Sequence, residues 1–501
     1  MTLTTPSYAA KPSVLDALKS PALLTREVLA GLVVALALIP EAIAFSLIAG
    51  VDPKVGLFSS FVMAVTIAFV GGRPAMITAA TGAVALVIAP IARDYGMDYF
   101  IATVILAGVF QLVLGAVGFA KLMRFIPRSV MIGFVNALAI LIFLSQMPQL
   151  IGVPVMVYPM VAVGIIVMVL VPRITRVIPA PLISIVLITV ASIALAITVP
   201  TVGDEGDLPS SLPELFIPNV PLTVETFNII APYALAMALV GLLESLLTAK
   251  LVDDVTDTHS RKTREALGQG VANVLSGLLG GMGGCAMIGQ TMINVKVSGA
   301  RTRISTFLAG VFLLVLVVGF GDLVSMIPMA ALVAVMIMVS VATFNWHSVL
   351  PSTLRRMPKS ETSVMVLTVI AVVWTHNLAI GVIVGVLTAM ILFARRVAHF
   401  TDVTREIKDV EGRTEAHYTV TGELFFASSN DLYTQFDYVE DPELVVIDMS
   451  QSHIWDASTV ASLDSITEKY ENHGKRVDIQ GLNSASLRIH GKLAGNLGSE
   501  A

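Results

Sequence analysis

The sequence predicts an all-α polytopic membrane domain of fourteen spans, built as two inverted halves of seven, followed by a small α/β domain. Three observations carry that prediction. Apolar residues make up 55% of the 501 positions and charged residues only 13%, with a mean hydropathy of +0.84; a soluble domain carries about 25% charged residues. Charge is also partitioned. Residues 1–400 hold 23 Lys/Arg and 18 Asp/Glu, and residues 401–501 hold 8 and 18, so the first part suits lipid and the second water. Finally, the apolar segments repeat in number and punctuation across two halves of the first part.

In chain order, segments near the roughly 20 residues that a helix needs to cross a bilayer fall at 27–50, 55–71, 75–92, 99–120, 127–147, 155–172 and 178–199. A second set falls at 226–250, 265–281, 285–300, 304–320, 326–343, 361–376 and 378–394. Segments 75–92 and 285–300 are short, are interrupted by Gly, Thr, Gln and Asn, and hold the same third place in each set. The first apolar run begins near Val28 and is too long for the apolar part of a secretory signal, so no cleavable leader is expected.

The loops set the orientation. With the N-terminus inside, one side collects most of the Lys and Arg, including Lys11, Arg26, Arg73, Arg124, Arg128, Arg176, Lys250, Arg264, Arg301, Arg303 and Arg396, while the other keeps Lys54 and Arg93. That bias predicts both termini in the cytoplasm. Each half carries a carboxylate in its first span, Glu41 and Glu244, and a glycine pair just before its short third span, Gly71-Gly72 and Gly280-Gly281. Seven spans is an odd number, so the halves are inverted. Interrupted spans at matched positions of inverted halves point to a transporter's binding site near mid-membrane.

The tail has another period. Ala416–Val420, Leu444–Asp448 and Val477–Ile479 read as strands, and Thr459–His473 and the stretch from Ser484 as helices. Strand–helix alternation of this kind predicts a small α/β layer.

Few residue groups offer chemistry. Glu41 follows Pro40 in mid-span, where a charged, unpaired carboxylate costs several kcal/mol, so it reads as functional. Pro40 would free backbone groups there, acceptable where a break in the span lines a cavity. Glu244 has Thr248 four residues on, on the same helix face; a carboxylate with a hydroxyl one turn below suits a proton or cation. Helix–helix hydrogen bonding is the structural alternative for both acids. If the short spans are extended strips leading into half-helices at Thr78–Ala83 and Gly283–Gln290, two helix N-termini meet at mid-membrane and attract an anion without a cationic side chain. The single Cys285 reads as a small packing residue. Lys296, Arg301 and Arg303 read as orientation charges. The eight histidines form no ligand-spaced cluster, so no metal, cofactor or hydrolytic triad is expected. A net charge of −5 with no basic, aromatic-interleaved patch excludes nucleic acid. The expected partners are a small anion, a co-transported ion and the lipid bilayer.

Ile39-Pro40-Glu41-Ala42-Ile43-Ala44-Phe45, continuing through Leu47-Ile48-Ala49-Gly50-Val51-Asp52-Pro53 to Gly56-Leu57, resembles the I-P-Q-x-x-A-Y-x-x-L-A-G-x-x-P-x-x-G-L-Y signature of the SulP sulfate-permease family of anion transporters. The run from Arg264-Glu265 through Gly270 and Asn273 to Gly277 resembles that family's E-L-x-x-x-G-x-x-N-x-x-x-G block, and Val446–Ser450 with Asp456–Val460 resembles its STAS domain. The resemblance implies a core domain of spans 1–4 and 8–11 and a gate domain of spans 5–7 and 12–14. It places the anion between the third and tenth spans, at Thr81, Gly82 and Ala83 and at Ile288, Gly289 and Gln290, flanked by Glu41 and Glu244. A homodimer in the inner (plasma) membrane is expected.

Two departures shape the expected mechanism. Glu41 stands where the signature has Gln, and Gly289-Gln290 replaces a Ser-Arg pair. The site therefore gains an acid and lacks a cation. An anion 4 Å from a charged carboxylate is repelled by about 4 kcal/mol at an effective dielectric near 20, and protonation removes that repulsion. The expectation is proton-coupled symport of a dicarboxylate or a small oxyanion such as sulfate or bicarbonate. A sodium-coupled bicarbonate carrier using Glu244 and Thr248 is the nearest alternative, followed by a channel-like anion conductor; an enzyme is not expected. In the tail, Ala457 replaces the first serine of the D-S-[ST]-G pattern, although Ser458 remains, so phosphorylation at Ala457's position is not expected.

Overall fold

The computed structural model describes residues 13–121, 126–174, 180–398, 401–410, 413–429 and 432–495. Lys11, Arg124 and Arg176 of the orientation charges lie outside the described residues. The chain divides into two compact units, Met1–Val386 and Leu387–Ala501.

Every expected span contains a helix. The first half comprises α1 (Pro21–Ala49), α2 (Pro53–Val70), the two-residue strand β1 (Thr78–Ala79), α3 (Gly82–Tyr95), α4 (Met97–Val117), α5 (Arg128–Ser145), α6 (Val157–Ile174) and α7 (Ala180–Ala194). The second comprises α8 (Val224–Thr256), α9 (Lys262–Leu278), β2 (Cys285–Ala286), α10 (Ile288–Met292), α11 (Arg303–Gly319), α12 (Met329–Thr343), α13 (Lys359–Thr375) and α14 (Leu378–Ala398). The division between units falls within α14, so its last three or so turns group with the second unit, upstream of the composition change near 400. Among the described residues, α1, α2, α4, α5, α6, α8 and α14 are long and apolar enough to cross a bilayer unaided.

The short third spans behave differently. β1 and β2 pair antiparallel, Thr78 with Ala286 and Ala79 with Cys285. α3 then starts at Gly82 and α10 at Ile288. α10 widens into a π-helical stretch over Ile293–Val297. Ten helical residues rise about 15 Å, half the hydrocarbon thickness.

The inverted repeat is visible in the packing. α4 lies on α8 and α9 of the other half, and α11 lies correspondingly on α1 and α2. α5 packs on α13, and its counterpart α12 packs on α6. Core and gate are therefore separate packing groups, with α1 touching α12 across them. Apolar side chains such as Val163, Ile166, Val190 and Ile370 stay exposed on gate helices, as lipid contact requires.

One expectation fails here. α1 is continuous through Pro40; the proline removes only the hydrogen bond to the Leu36 carbonyl, and the packed turns on either side keep the helix intact.

The glycine pairs mark close approaches. A Cβ on Gly72 would lie 2.1 Å from the Arg261 carbonyl oxygen, and one on Gly281 would lie 2.4 Å from Ser276 Oγ. Several orientation charges also work locally. Arg303 donates to the Ile67, Ala68 and Gly71 carbonyls and Arg264 to those of Phe69 and Val70, capping the negative end of α2. Glu27 accepts from the backbone N–H groups of Arg301, Thr302 and Ser305 at the start of α11.

The second unit contains a four-stranded sheet in the order β3 (Asp402–Val410), β4 (Arg413–Leu424), β5 (Leu444–Ile454), β6 (Arg476–Gln480), with β3 antiparallel and the other pairs parallel. Helices α15 (Ala457–Asn472) and α16 (Ser484–Leu493) complete it, and Tyr418, Ile447, Val460, Leu463 and Tyr470 lie in its core. The carboxylate of Asp441 is buried, accepting from Arg405, Tyr418 and Tyr470. The sequence reading did not anticipate β3. It is an edge strand whose charged residues are exposed on both faces, so it shows no apolar alternation.

Candidate functional site

Extended backbone at mid-membrane needs internal partners for its N–H and C=O groups. The polar residues of α2, α8 and α9 supply them. Asn273 accepts from the Gly284 N–H at 2.9 Å and donates to the Gly284 carbonyl at 3.1 Å and to Gln111 Oε1 at 2.8 Å. Ser59 donates to the Gly283 carbonyl, Ser276 donates to Ser59 and accepts from Gly283 N–H, and Ser245 accepts from Ala286 N–H. On the β1 side, Gln269 donates to Thr78 Oγ1, and Glu265 accepts from the Gly72 and Arg73 N–H groups. Gly270 and Gly277 let α4 approach, since a Cβ on either would meet α4 atoms within 2.8 Å. The Glu265–Gly270–Asn273–Gly277 block is thus the scaffold of the crossing. Asn273→Ala is expected to lower stability by about 3 kcal/mol, because the four hydrogen bonds of its side chain, to Gly284 N–H and to the oxygens of Gln111, Gln269 and Gly284, go and their buried partners stay; thermal unfolding in detergent measures it.

The scaffold presents two helix starts. Thr81 caps α3, accepting from Val84 N–H, and Gly82 and Ala83 follow, buried. In α10, Ile288 is half-buried, Gly289 exposed and Gln290 buried. First-turn N–H groups have no intrahelical acceptor, so both starts present donors. A Cβ on Gly289 would meet nothing within 4 Å, whereas one on Gly82 would lie 2.8 Å from Phe45 Cε1 of α1 and 3.2 Å from Ile142 Cδ1 of α5. The space beside α10 is open; the start of α3 is closed over by a core residue and a gate residue.

Both carboxylates reach these starts. Glu41 is 9% exposed and its carboxyl lies beside the Gln290 side chain, whose Oε1 is buried without a partner. Glu244 is 7% exposed, and its Oε2 accepts from the Cys285 thiol at 2.9 Å. Cys285 Sγ lies 3.1 Å from Thr81 Oγ1. Neither acid has an ion-pair partner among the described residues.

Two side chains differ from the sequence reading. Thr248 shares a helix with Glu244, but its hydroxyl donates to the Glu244 backbone carbonyl at 2.8 Å and is 3.4 Å from the Ala286 carbonyl; it does not extend the carboxylate into an oxygen cluster. Cys285 packs in the interior and is also bonded on both sides by polar groups, which a lone cysteine among glycines gives no reason to expect. The available signal was its register opposite Ala79 in the matched strip.

A cavity of about 1030 Å³ opens where α1 ends and α2 begins, lined by Asp52, Lys54, Gln149, Glu205, Asp207 and Glu214. The hydrogen bond from Lys54 at 2.8 Å holds the Asp207 carboxyl below the usual carboxylate range. Deeper along α1, a crevice of about 50 Å³ between α1, α5 and α12 is lined by Ala44, Leu47, Gln146 and Leu332.

Comparison with known proteins identifies this architecture. The profile of the Sulfate permease family matches residues 24–163 and 156–368. The chain belongs to that family. A STAS domain match follows over residues 405–494. Among sulfate permease relatives, YbaR of Bacillus subtilis (strain 168), which carries a provisional sulfate-transporter name, is 49% identical over 469 residues, 94% of this chain and 97% of YbaR. BicA of Picosynechococcus, named a bicarbonate transporter, is 25% identical over 522 residues, covering 93% of this chain and 90% of BicA. The structure of the murine Solute Carrier 26 family member A9 anion transporter superposes with a TM-score of 0.80 at 17% identity, over 98% of this chain and 92% of that one. The transmembrane domain of a cyanobacterial BicA gives 0.61 at 23% identity, over 74% and 98%. These superpositions show the sulfate permease fold, with a helical membrane domain and a STAS domain. The chain is an anion transporter of this family and not an enzyme.

Proposed function

We propose that this sulfate permease family member is a secondary active transporter that takes up a small oxyanion, sulfate or bicarbonate, together with a proton by alternating access. Dicarboxylates, which present the same terminal oxygens, are the second substrate class. The observation that carries the reading is the pairing of two helix starts with two buried acids and no cationic side chain. Each helix N-terminus acts as about half a positive charge, so two supply about one. That offsets one negative charge, the whole of bicarbonate's and half of sulfate's. An ionised Glu41 or Glu244 beside it restores a repulsion of about 4 kcal/mol at 4 Å and a dielectric near 20. Anion and proton are therefore bound together.

Two features favour this reading over its alternatives. The Glu244 carboxylate accepts from the Cys285 thiol, a hydrogen donor that a cation would have to displace. Phe45 and Ile142 lie against the Gly82 position while the Gly289 position is open, an unequal enclosure of the two helix starts that suits the gated access of a carrier. We place the protein in the inner (plasma) membrane with the STAS domain, and both termini, in the cytoplasm, on the bias of Lys and Arg in the loops. The test is uptake by proteoliposomes of labelled sulfate, bicarbonate and a four-carbon dicarboxylate, with inward proton or sodium gradients imposed separately. Proton-driven accumulation of one oxyanion is the expected result. Accumulation that follows sodium alone, or flux that never exceeds equilibrium, refutes it.

A further inference from the structure

Three buried groups lie in series between the membrane interior and the start of α3. Glu244 Oε2 is 2.9 Å from Cys285 Sγ, which is 3.1 Å from Thr81 Oγ1. Cys285 is fully buried and Thr81 is 3% exposed. The Thr81 oxygen also accepts from Val84 N–H, so it belongs to the N-terminus at which an anion would sit. Each of the middle groups holds one proton and can point it either way.

The direction of this chain depends on its acid end. An ionised Glu244 only accepts. Cys285 then donates to it, the thiol sulfur is left as an acceptor, and the Thr81 hydroxyl proton turns to the sulfur. Thr81 presents only oxygen lone pairs to an anion. Once Glu244 holds a proton it can donate to the sulfur. Cys285 then donates to Thr81, whose oxygen has two lone pairs for Val84 N–H and the thiol, and the hydroxyl proton is released toward the helix start. One proton arrives at Glu244; the thiol and the hydroxyl keep their own and only rotate, so no covalent bond other than that at Glu244 changes.

We infer that Cys285 is a positioning residue that transmits the protonation state of Glu244 to the Thr81 hydroxyl, converting it from an acceptor into a donor for the transported anion. The inference rests on the proton-coupled reading and adds the path by which one acid acts on the anion. Of the charged groups on elements packed against α8, Arg93 pairs with Asp94, Asp98 with Asn219 N–H, Glu265 with Gly72 and Arg73, and Arg264 with the end of α2, while Lys262 is the first residue of α9 and Lys296, in the stretch that continues α10, is exposed. The α8 residue Asp253 is paired with Arg73, and the Ser245 hydroxyl is taken by Ala286 N–H. The thiol is thus the group that answers Glu244.

The chain has one cysteine, so its S–H stretching band in the infrared is assignable in the full-length protein. The expected result is a band that shifts between two positions as pH is varied, and stays fixed in Glu244→Gln. In proteoliposomes with labelled sulfate, the wild-type apparent KM should rise about tenfold per pH unit above the transition, as for a single titrating group. Cys285→Ser, which keeps a donor and an acceptor, retains that slope, and Cys285→Ala and Thr81→Val flatten it. A thermal melt of each variant establishes that it is folded. An S–H band that does not respond to pH in the wild type, or a wild-type slope in folded Cys285→Ala, overturns the inference. If the band moves as expected but wild-type uptake ignores the proton gradient, the coupled-transport reading fails instead.

Discussion

Glu41→Gln is expected to weaken proton-driven accumulation while leaving anion binding intact. The amide matches the shape of a protonated carboxyl and keeps a polar group beside Gln290 at the start of α10. It cannot release a proton, so its end of the site stays in the anion-accepting form and Glu244 is left as the titrating acid. A carrier moving one proton with each anion concentrates substrate up to about tenfold per pH unit of inward gradient, since each unit is 1.36 kcal/mol per proton. The wild type should approach that value for each proton it carries, and Glu41→Gln should fall short by the proton that Glu41 carries. Labelled anion counted at several imposed gradients gives the comparison, with binding to the detergent-solubilised protein measured in parallel. A variant that still accumulates with the wild-type gradient dependence removes Glu41 from the coupling step.

Gly289→Val is expected to block transport with the fold preserved, and Gly82→Val to block it by damaging the fold. The difference lies in what surrounds each position. Gly289 has open space where a Cβ would go, so its new methyl groups occupy volume available to the anion. Overfilling a fitted site costs about 1–3 kcal/mol, or about five- to 150-fold in affinity. At Gly82 the added carbons run into Phe45 and Ile142, which must move together with α1 and α5. Uptake should fall in both variants, and the melting temperature in detergent should fall only for Gly82→Val. Normal uptake by Gly289→Val would mean that the anion passes elsewhere.

Much of this architecture is legible one residue at a time. Hydropathy locates every span because lipid imposes its demand locally, on each stretch of about 20 residues. The matched acids, Glu41 and Glu244, and the matched glycine pairs disclose the duplication, and an odd number of spans forces its inversion. The two interrupted spans reveal the half-helices, since polar and glycine residues there are tolerated only where backbone lines a protected site. The alternation in the tail located β4, β5, β6 and both helices. β3 escaped because an exposed edge strand needs no apolar face.

What remained hidden was every feature that depends on two distant segments meeting. α1 contains a proline after which a break was expected, yet its neighbours hold it continuous. Thr248 stands at the right helical spacing for Glu244, but strand β2 brings a carbonyl within reach of its hydroxyl. Cys285 becomes a link between Glu244 and Thr81 only because Ala79 pairs with it across the two repeats. The sequence by itself determined the solvent of each segment, the number of spans, their inverted order and the residue types available at mid-membrane. The tertiary structure alone decided which donor faces which acceptor and where glycine leaves room or a contact. Burial is a property of a segment and shows in its composition, whereas a hydrogen bond is a property of two groups brought within about 3 Å, and nothing local in the chain records that distance.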